Sequence, residues 1–346
     1  MGQTTVCSFC SDKEKEQDLI KNKNNIFIME NNDCSIMDRP ILRENKNINS
    51  LNLNYIGGYS TSTFEGFNII RWSNNTEFKG IFHNGVPNGW GIYTHPKNGT
   101  FYGEYENNQP NGYGIYRHIT DSSYEGFWTN EKQHGYGIEE WKDGAIYKGE
   151  FSQGKKSGIG IYIFPNKNIY LGQWSKNLMN GYGIYSYGKN ELYLGHWVNG
   201  LRDGYGEVYG PKNNFYCGFY KNNLQHGFFM FYNTKSKKII IGFYTNGRID
   251  GILKYFKGNQ EGKLIIVKNG RKLKEIDNEE KIDNYLNNFE ENKMFIKDKT
   301  FINYFLMKRD QIESILIEKC NLEDIKQINE RLGRTNKINH IENSIE

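Results

Sequence analysis

Between residues 55 and 255, hydrophobic and polar positions alternate with a period of two, interrupted at regular intervals by glycine and asparagine. Such alternation places successive side chains on opposite faces of an extended chain, so it predicts strands with two distinct faces. The alternation itself recurs. Segments 147–162 (YKGEFSQGKKSGIGIY) and 170–185 (YLGQWSKNLMNGYGIY) share one order: aromatic-x-Gly-x-aromatic, a Gly or Asn, then Gly-x-Gly-x-Tyr. A first glycine stands at Gly57, Gly80, Gly103, Gly126, Gly149, Gly172, Gly195, Gly218 and Gly242, with every interval 23 residues except the last, which is 24. A second follows nine residues later, from Gly66 to Gly251, and a third two beyond it in the six copies from Gly91 to Gly206.

Each period reads as a β-hairpin. Tyr147, Gly149 and Phe151 share one face of a first strand, and Gly158, Gly160 and Tyr162 one face of a second. Between them lies a turn position held by Ser62, Gly85, Asn108, Glu131, Gly154, Asn177, Gly200, Asn223 and Gly247. Most of these are Gly or Asn, which accept positive φ most readily. A glycine opposite an aromatic leaves room for the ring to lie across the neighbouring strand. A lone hairpin of this size buries too little to offset the entropy of ordering its chain, so the copies must zip into a quasi-one-dimensional array. The end copies are atypical, as terminal repeats should be: Asn68 and Ile70 replace the usual glycine and tyrosine, and Phe229 and Leu253 take the third-glycine position. Gly270, in IIVKNGRKLK, follows Gly247 by 23 residues and predicts a tenth, half-formed hairpin at the edge.

The predicted fold is therefore mostly β: an elongated, twisted array of about nine 23-residue hairpins over residues 51–275, followed by a small helical segment over 276–335 and a disordered tail, 336–346. The helical expectation rests on a change of period after Asp277. Asp277 with Glu280 resembles a capping box, and Ile282, Tyr285, Leu286 and Phe289 follow at i, i+3, i+4, i+7. Ile312, Ile315 and Leu316, then Leu322, Ile325, Ile328 and Leu332 mark later helices, and Gly333 suits a stop. Such helices pack together or onto the sheet end; the alternative is a module for dimerisation or partner docking.

The period, glycines, aromatics and turn residues together resemble the MORN (membrane occupation and recognition nexus) repeat, matched over residues 55–255. The resemblance implies a twisted, rod-like or curved β array acting as a scaffold. The family includes proteins of junctional membranes, of cilia and flagella, and of the cortical cytoskeleton of unicellular parasites; phosphoinositide binding has been proposed for such repeats. Some relatives fuse the array to a methyltransferase, lipid-kinase or exchange-factor domain, and no such domain is evident in the residues flanking this one.

The chain opens MGQTTVCSFC. Gly2 behind the initiator Met resembles an N-myristoylation signal, and Cys7 and Cys10 stand where palmitoylation often accompanies it, although Val6 occupies the position where Ser or Thr is usual. One myristoyl chain gives only marginal membrane binding. Lys13, Lys15, Lys21 and Lys23 are offset by Asp12, Glu14, Glu16 and Asp18, so the cysteines supply the better second anchor. Residues 1–50 read as an acylated, largely disordered tether.

Composition removes several function classes. The net charge of +4 is spread over interspersed acids and bases and gives no footprint for nucleic acid. No run approaches 18 apolar residues, and the five cysteines form no disulfide framework. The Gly-x-Gly units lack the Gly-Lys-Ser/Thr of a phosphate loop, Cys7-x-x-Cys10 lacks a second zinc-spaced pair, and the histidines are scattered, so neither cofactor nor catalytic residue is expected.

One pair of columns has functional promise. Trp90, Tyr113, Tyr136, Ile159, Tyr182, Tyr205 and Phe228 lie between or beside the second-strand glycines, and Ile92, Ile115, Ile138, Ile161, Ile184, Glu207 and Met230 come two residues on. By alternation both columns face away from Gly158, Gly160 and Tyr162. They form either inter-strand packing or a long groove for a partner helix or a second copy of the protein, with Trp90, Tyr113, Tyr136, Tyr182 and Tyr205 as the candidate partner surface. The function these features support is a non-catalytic, membrane-tethered scaffold. It would sit on the cytoplasmic face of the plasma membrane or an inner cortical membrane and link it to cytoskeletal or signalling proteins. The alternatives are a direct phospholipid-headgroup binder and a ciliary or flagellar subunit.

Overall fold

The computed structural model describes residues 53–56, 64–187, 191–233, 235–257 and 263–276. The expected N-terminal tether, the helical segment beyond Ile276 and the terminal tail lie outside these residues. Ten hairpins follow one another. They pair β1 (Leu53–Ile56) with β2 (Gly66–Trp72), β3 (Glu77–His83) with β4 (Val86–His95), β5 (Gly99–Glu106) with β6 (Gln109–His118), and β7 (Ser123–Thr129) with β8 (Lys132–Glu140). The central ones are β9 (Ile146–Ser152) with β10 (Lys155–Ile163), β11 (Ile169–Ser175) with β12 (Leu178–Ser186), and β13 (Leu192–Val198) with β14 (Leu201–Gly210). The last are β15 (Asn214–Lys221) with β16 (Leu224–Asn233), β17 (Lys238–Thr245) with β18 (Arg248–Lys257), and β19 (Lys263–Lys268) with β20 (Arg271–Ile276). The expected tenth hairpin is thus present. Each hairpin also pairs antiparallel with the next, so the strands form one open, twenty-stranded meander in sequence order. Among the described residues there is no α-helix, only a 3-10 turn at Pro211–Asn213.

The hairpin bends use two residues at positive φ. Asn84–Gly85, Asn107–Asn108, Asn130–Glu131, Gln153–Gly154, Lys176–Asn177, Asn199–Gly200, Asn222–Asn223, Asn246–Gly247 and Asn269–Gly270 all follow this pattern. Positive φ at both central residues is the mark of a type I′ turn, whose twist matches that of the flanking strands. The second turn residue also reaches back one repeat. Asn108 N–H donates to the Pro87 carbonyl at 2.8 Å, Gly154 to Gln133 at 2.9 Å, Gly200 to Met179 at 2.9 Å and Gly270 to Ile249 at 2.9 Å. One backbone hydrogen bond per turn therefore ties successive hairpins together beyond their strand ladders.

The three glycines of the period serve two purposes. The second one sits in a bulge: β10 pairs Lys156 with Phe151 and Gly160 with Gly149, so the β10 side of the ladder is two residues longer, and Gly158 there has φ of 62°. The first and third are floor for a ring. Tyr147 lies across Gly149 and Gly160, and a Cβ on Gly160 would meet its hydroxyl at 2.4 Å, while a Cβ on Gly149 would meet the Gly160 Cα at 2.5 Å. The phenol continues past the glycines and donates to the carbonyl of Glu150 at 3.0 Å; Tyr124, Tyr170 and Tyr193 make the same bond three residues on.

Those rings form the core. From Phe78 the edge-to-face contacts run unbroken through Tyr105, Phe101, Trp128, Tyr124, Phe151, Tyr147, Trp174, Tyr170, Trp197, Tyr193 and Tyr220 to Phe229, with centroids 5.0–5.6 Å apart. Perpendicular rings suit the aromatic quadrupole, and each contact is worth about 0.5–1.5 kcal/mol beyond its buried area. The atypical copies follow the same rule by other means. Phe229, at the third-glycine position, lays its own ring over Gly218, and Asn68 is buried with its amide donating to the carbonyls of Glu65 and Gly66, each at 3.1 Å.

Gly160→Ala forces the Tyr147 ring off its floor and should cost about 1–3 kcal/mol; urea unfolding of the full chain measures it, and an unchanged midpoint would show that the ring has room to move. Alkali should act on the same rings. Burial pushes the Tyr162 and Tyr185 phenols up to about 12, against about 10 for an unfolded tyrosine. Their contribution is complete below pH ~10, where both states keep the proton, and is lost as pH rises from there through about 12. The urea midpoint should fall across that window, and a midpoint constant across it contradicts the buried placement.

Candidate partner-binding face

The glycine-and-ring core occupies one face of the sheet, and the register places the other columns on the opposite face. Gly160 stands opposite Gly172 and Tyr162 opposite Tyr170, while Ile159 pairs with Gln173 and Ile161 with Leu171. On that second face Phe67 lies opposite Ile81, Trp90 opposite Glu104, Ile92 opposite Tyr102, Tyr113 opposite Phe127 and Tyr136 opposite Glu150. The polar members of these pairs have backbone duties. Glu150 accepts from the Ile159 N–H at 3.1 Å, and Gln173 from the Tyr182 N–H at 2.7 Å, which holds the bulge in place.

The face is not uniform along the array. Phe67 is 66% exposed, Trp90 and Tyr136 are each 54% exposed and Phe127 is 52% exposed, whereas Tyr205 is 6% exposed and Phe228 5% exposed. The candidate column therefore divides. Trp90 and Tyr136 are open to solvent. Tyr113 is half-buried, edge-on to Phe127 at 5.8 Å, with its hydroxyl donating to Glu125 at 2.5 Å. Tyr182 is half-buried against the His196 ring at 5.0 Å. Tyr205 belongs to a buried cluster with Ile184, Leu192, Leu194, Phe215, Cys217, Phe228, Met230 and Tyr232. At its centre the buried Glu207 accepts from the Tyr205 and Tyr209 hydroxyls at 2.7 and 2.8 Å, and burial pushes the Cys217 thiol well above its ordinary value.

A second column, which the sequence reading passed over, carries the signal for this division. Lys79, Tyr102, Glu125 and Lys148 give way to Leu171, Leu194, Cys217 and Ile241 at corresponding positions of successive first strands. In the open half the cations are engaged locally: Arg71 and Lys79 both pair with Glu77, and the Arg117 guanidinium stands over the Tyr102 ring at 5.8 Å. With Glu104, Glu125 and Glu150 on the same face, the open half is a run of apolar rings in a mixed-charge border, not a basic surface. No group of His, Cys, Asp and Glu among the described residues could hold a metal ion, and no described helix is long and apolar enough to cross a membrane. The lipidation candidates Gly2, Cys7 and Cys10 lie outside the described residues.

Comparison with known proteins agrees with this repeat geometry. The profile of the MORN repeat matches residues 78–100, 101–120, 124–146, 147–169, 170–191, 193–215 and 216–228. A search of curated proteins finds no match. Among solved structures, the TCP10 domain of Danio rerio CPAP, in complex with a peptide of Danio rerio STIL, aligns at 9% identity and a TM-score of 0.39, covering 65% of this chain and all of that one. The SAS-4 (dCPAP) TCP domain of Drosophila melanogaster, in complex with a proline-rich motif of Ana2 (dSTIL), aligns at 15% identity and a TM-score of 0.30, covering 51% of this chain and 94% of that one. Scores this low carry no argument about function. MORN repeats mediate membrane or protein interactions, and an all-β repeat array of this kind is typical of non-enzymatic proteins. The periodic rings and glycines, the hairpin meander and the seven profile matches lead to one conclusion: residues 78–228 of this chain are a run of seven MORN repeats.

Proposed function

We propose that this protein is a non-catalytic scaffold, held at the cytoplasmic face of a membrane by acyl groups on Gly2 and on Cys7 or Cys10, that presents the open half of its second face to a protein partner. The observation that carries this reading is the row of exposed rings Phe67, Trp90, Phe127 and Tyr136 on β2–β8. Contiguous exposed apolar surface of this kind on a folded array marks an interaction site. An amphipathic helix fits it, with apolar anchors along the ring row and polar flanks meeting Lys79, Glu125 and Lys148. The row begins at the end of the sheet that follows the tether, which suits a cytoskeletal or signalling protein recruited close to the membrane. The mixed charge of the face argues for a protein occupant over an anionic headgroup, which calls for a basic surface.

Two variants separate tether from face. In cells, the double variant Trp90→Glu with Tyr136→Glu should lose partner recovery by about tenfold or more, the size of effect expected for two anchoring aromatics. It should stay in the membrane fraction, and the urea midpoint of the purified protein should be unchanged, because both residues are exposed. Gly2→Ala should do the reverse, releasing the protein to the soluble fraction while partner binding in solution persists. Loss of binding to anionic liposomes by the unacylated Trp90→Glu, Tyr136→Glu protein, with protein partners retained, would instead identify a lipid-binding face and overturn the proposal.

A further inference from the structure

We infer that the loop edge of the sheet between β8 and β17 is a docking surface for an extended acidic polypeptide. The small net charge of the chain, +4, conceals a division along the array. Residues 51–140 hold 5 Lys and Arg against 9 Asp and Glu, and residues 141–276 hold 21 against 8. The first stretch therefore carries −4 and the second +13. Local ion pairs engage some of these cations, as in Lys142 with Asp121 at 3.1 Å and Lys156 with Glu139 at 2.9 Å. Lys167, Lys212 and Lys235 are exposed and enter no ion pair among the described residues.

The meander gathers several of them into a row, because every loop from an even strand to the next odd one lies on the same edge. The loops joining β8 to β9, β10 to β11, β14 to β15 and β16 to β17 present Lys142, Lys167, Lys212, and Lys235 with Lys237, all exposed. Backbone geometry singles out three of these. The β2–β3, β6–β7 and β8–β9 loops give their positive-φ position to Asn75 (65°), Asp121 (64°) and Gly144 (83°), residue types that accept it readily. Later loops give it to Lys167 (67°), Lys212 (58°) and Lys237 (52°). Lysine has no short polar side chain to favour that conformation. The bond that closes the turn, from the Lys167 N–H to the Phe164 carbonyl at 2.8 Å, is a backbone one that most residue types would make. The turns gain nothing local from these lysines, so their charge is what accounts for them.

Spacing and chemistry set the occupant. Successive loops on one edge lie two strands apart, about 9.6 Å, a distance that an extended polypeptide covers in about three residues. The row from the β8–β9 loop to the β16–β17 loop spans roughly 38 Å, the length of about 12 such residues. A segment with Asp or Glu at every third place therefore brings one carboxylate to each loop. Other polyanions fit less well. A single-stranded nucleic acid calls for exposed rings under its bases, and among the described residues of β9–β20 the one exposed large apolar side chain is Leu273. A bilayer is flat, whereas ordinary twist of about 20° per strand turns this edge well past a right angle along the row. A flexible chain can follow it. The opposite edge is basic as well, through Lys176, Lys221 and Arg248, but Asp203 and Asp250 stand beside its turns. The exposed rings Phe67, Trp90, Phe127 and Tyr136 all lie on β2–β8, so this surface is separate from theirs.

Fluorescence anisotropy with the purified, unacylated full chain tests this, the probe being a labelled peptide of repeating Glu-Ser-Gly, about twenty residues long. The peptide should bind, and binding should weaken as salt is raised. Lys167→Asn, Lys212→Asn and Lys237→Asn together put a residue suited to positive φ at each loop. The urea midpoint of this triple variant should hold or rise, while its affinity for the peptide falls about tenfold or more. Lys176→Asn, Lys221→Asn and Arg248→Asn remove the same charge from the opposite edge and should change affinity by less than about threefold. A peptide of equal composition with its glutamates in one block should bind more weakly. Equal losses from the two triple variants, or equal affinity for the two peptides, would mean that net charge alone is read, and either overturns the inference. No binding of the peptide overturns it too, as does a lowered urea midpoint in the loop-edge variant, which would assign the lysines to the turns. Retention by phosphatidylserine vesicles or by an oligothymidylate, in place of the peptide, would give the edge to another class of partner and contradict it.

Discussion

An aromatic ring laid flat over two glycines of its own hairpin is the contact on which the rest of this structure depends. The ring requires the glycines, since a Cβ at either position would sit inside van der Waals range of the ring or of the opposing backbone. The glycines in turn require the ring, because bare backbone on both strands would leave the sheet without a core. Once Tyr147 lies across Gly149 and Gly160, its ring stands perpendicular to Phe151 in the same hairpin and to Trp174 in the next. The contact therefore propagates, and each repeat completes the core of its neighbour. Stability in such an array is shared between adjacent units, with turn-to-turn hydrogen bonds supplying a second link at the hairpin ends.

Committing one face entirely to ring packing frees the other. Its residues need only suit an extended backbone, so they can vary along the array without disturbing the core. Here they vary in an ordered way: solvated rings among charges in the first four complete copies, then a closed apolar surface beginning near Ile161 and Leu171 and centred on Leu194, Cys217 and Phe228. A uniform array thus carries two different surfaces, one open to solvent and one closed.

Much of the architecture was legible because the period repeats nine times and each position has a mechanical reason. The strand alternation, the ring-bearing face and the edge hairpin at Asn269–Gly270 all follow from residue order. Three features did not. The first turn residue is at positive φ in every described bend, but Gln153 and Lys176 break the asparagine column and hide it. The second glycine reads as a regular strand position on the face of Gly160 and Tyr162 and is a bulge, because alternation alone does not reveal two extra residues in a ladder. The division of the second face was obscured because Tyr136 and Tyr205 are the same residue at the same repeat position. Their surroundings differ through Lys148 against Cys217, on a column where charge and not aromaticity carries the information.

One continuous array thus bears a second face open at one end and closed at the other. Hydroxyl-radical footprinting of the full chain, read residue by residue along the equivalent column, tests it most directly. Phe67, Trp90 and Tyr136 should oxidise rapidly, while Tyr205 and Phe228 should be as protected as the core tyrosines Tyr147 and Tyr170. Equal oxidation rates along the whole column, from Phe67 to Phe228, would contradict it.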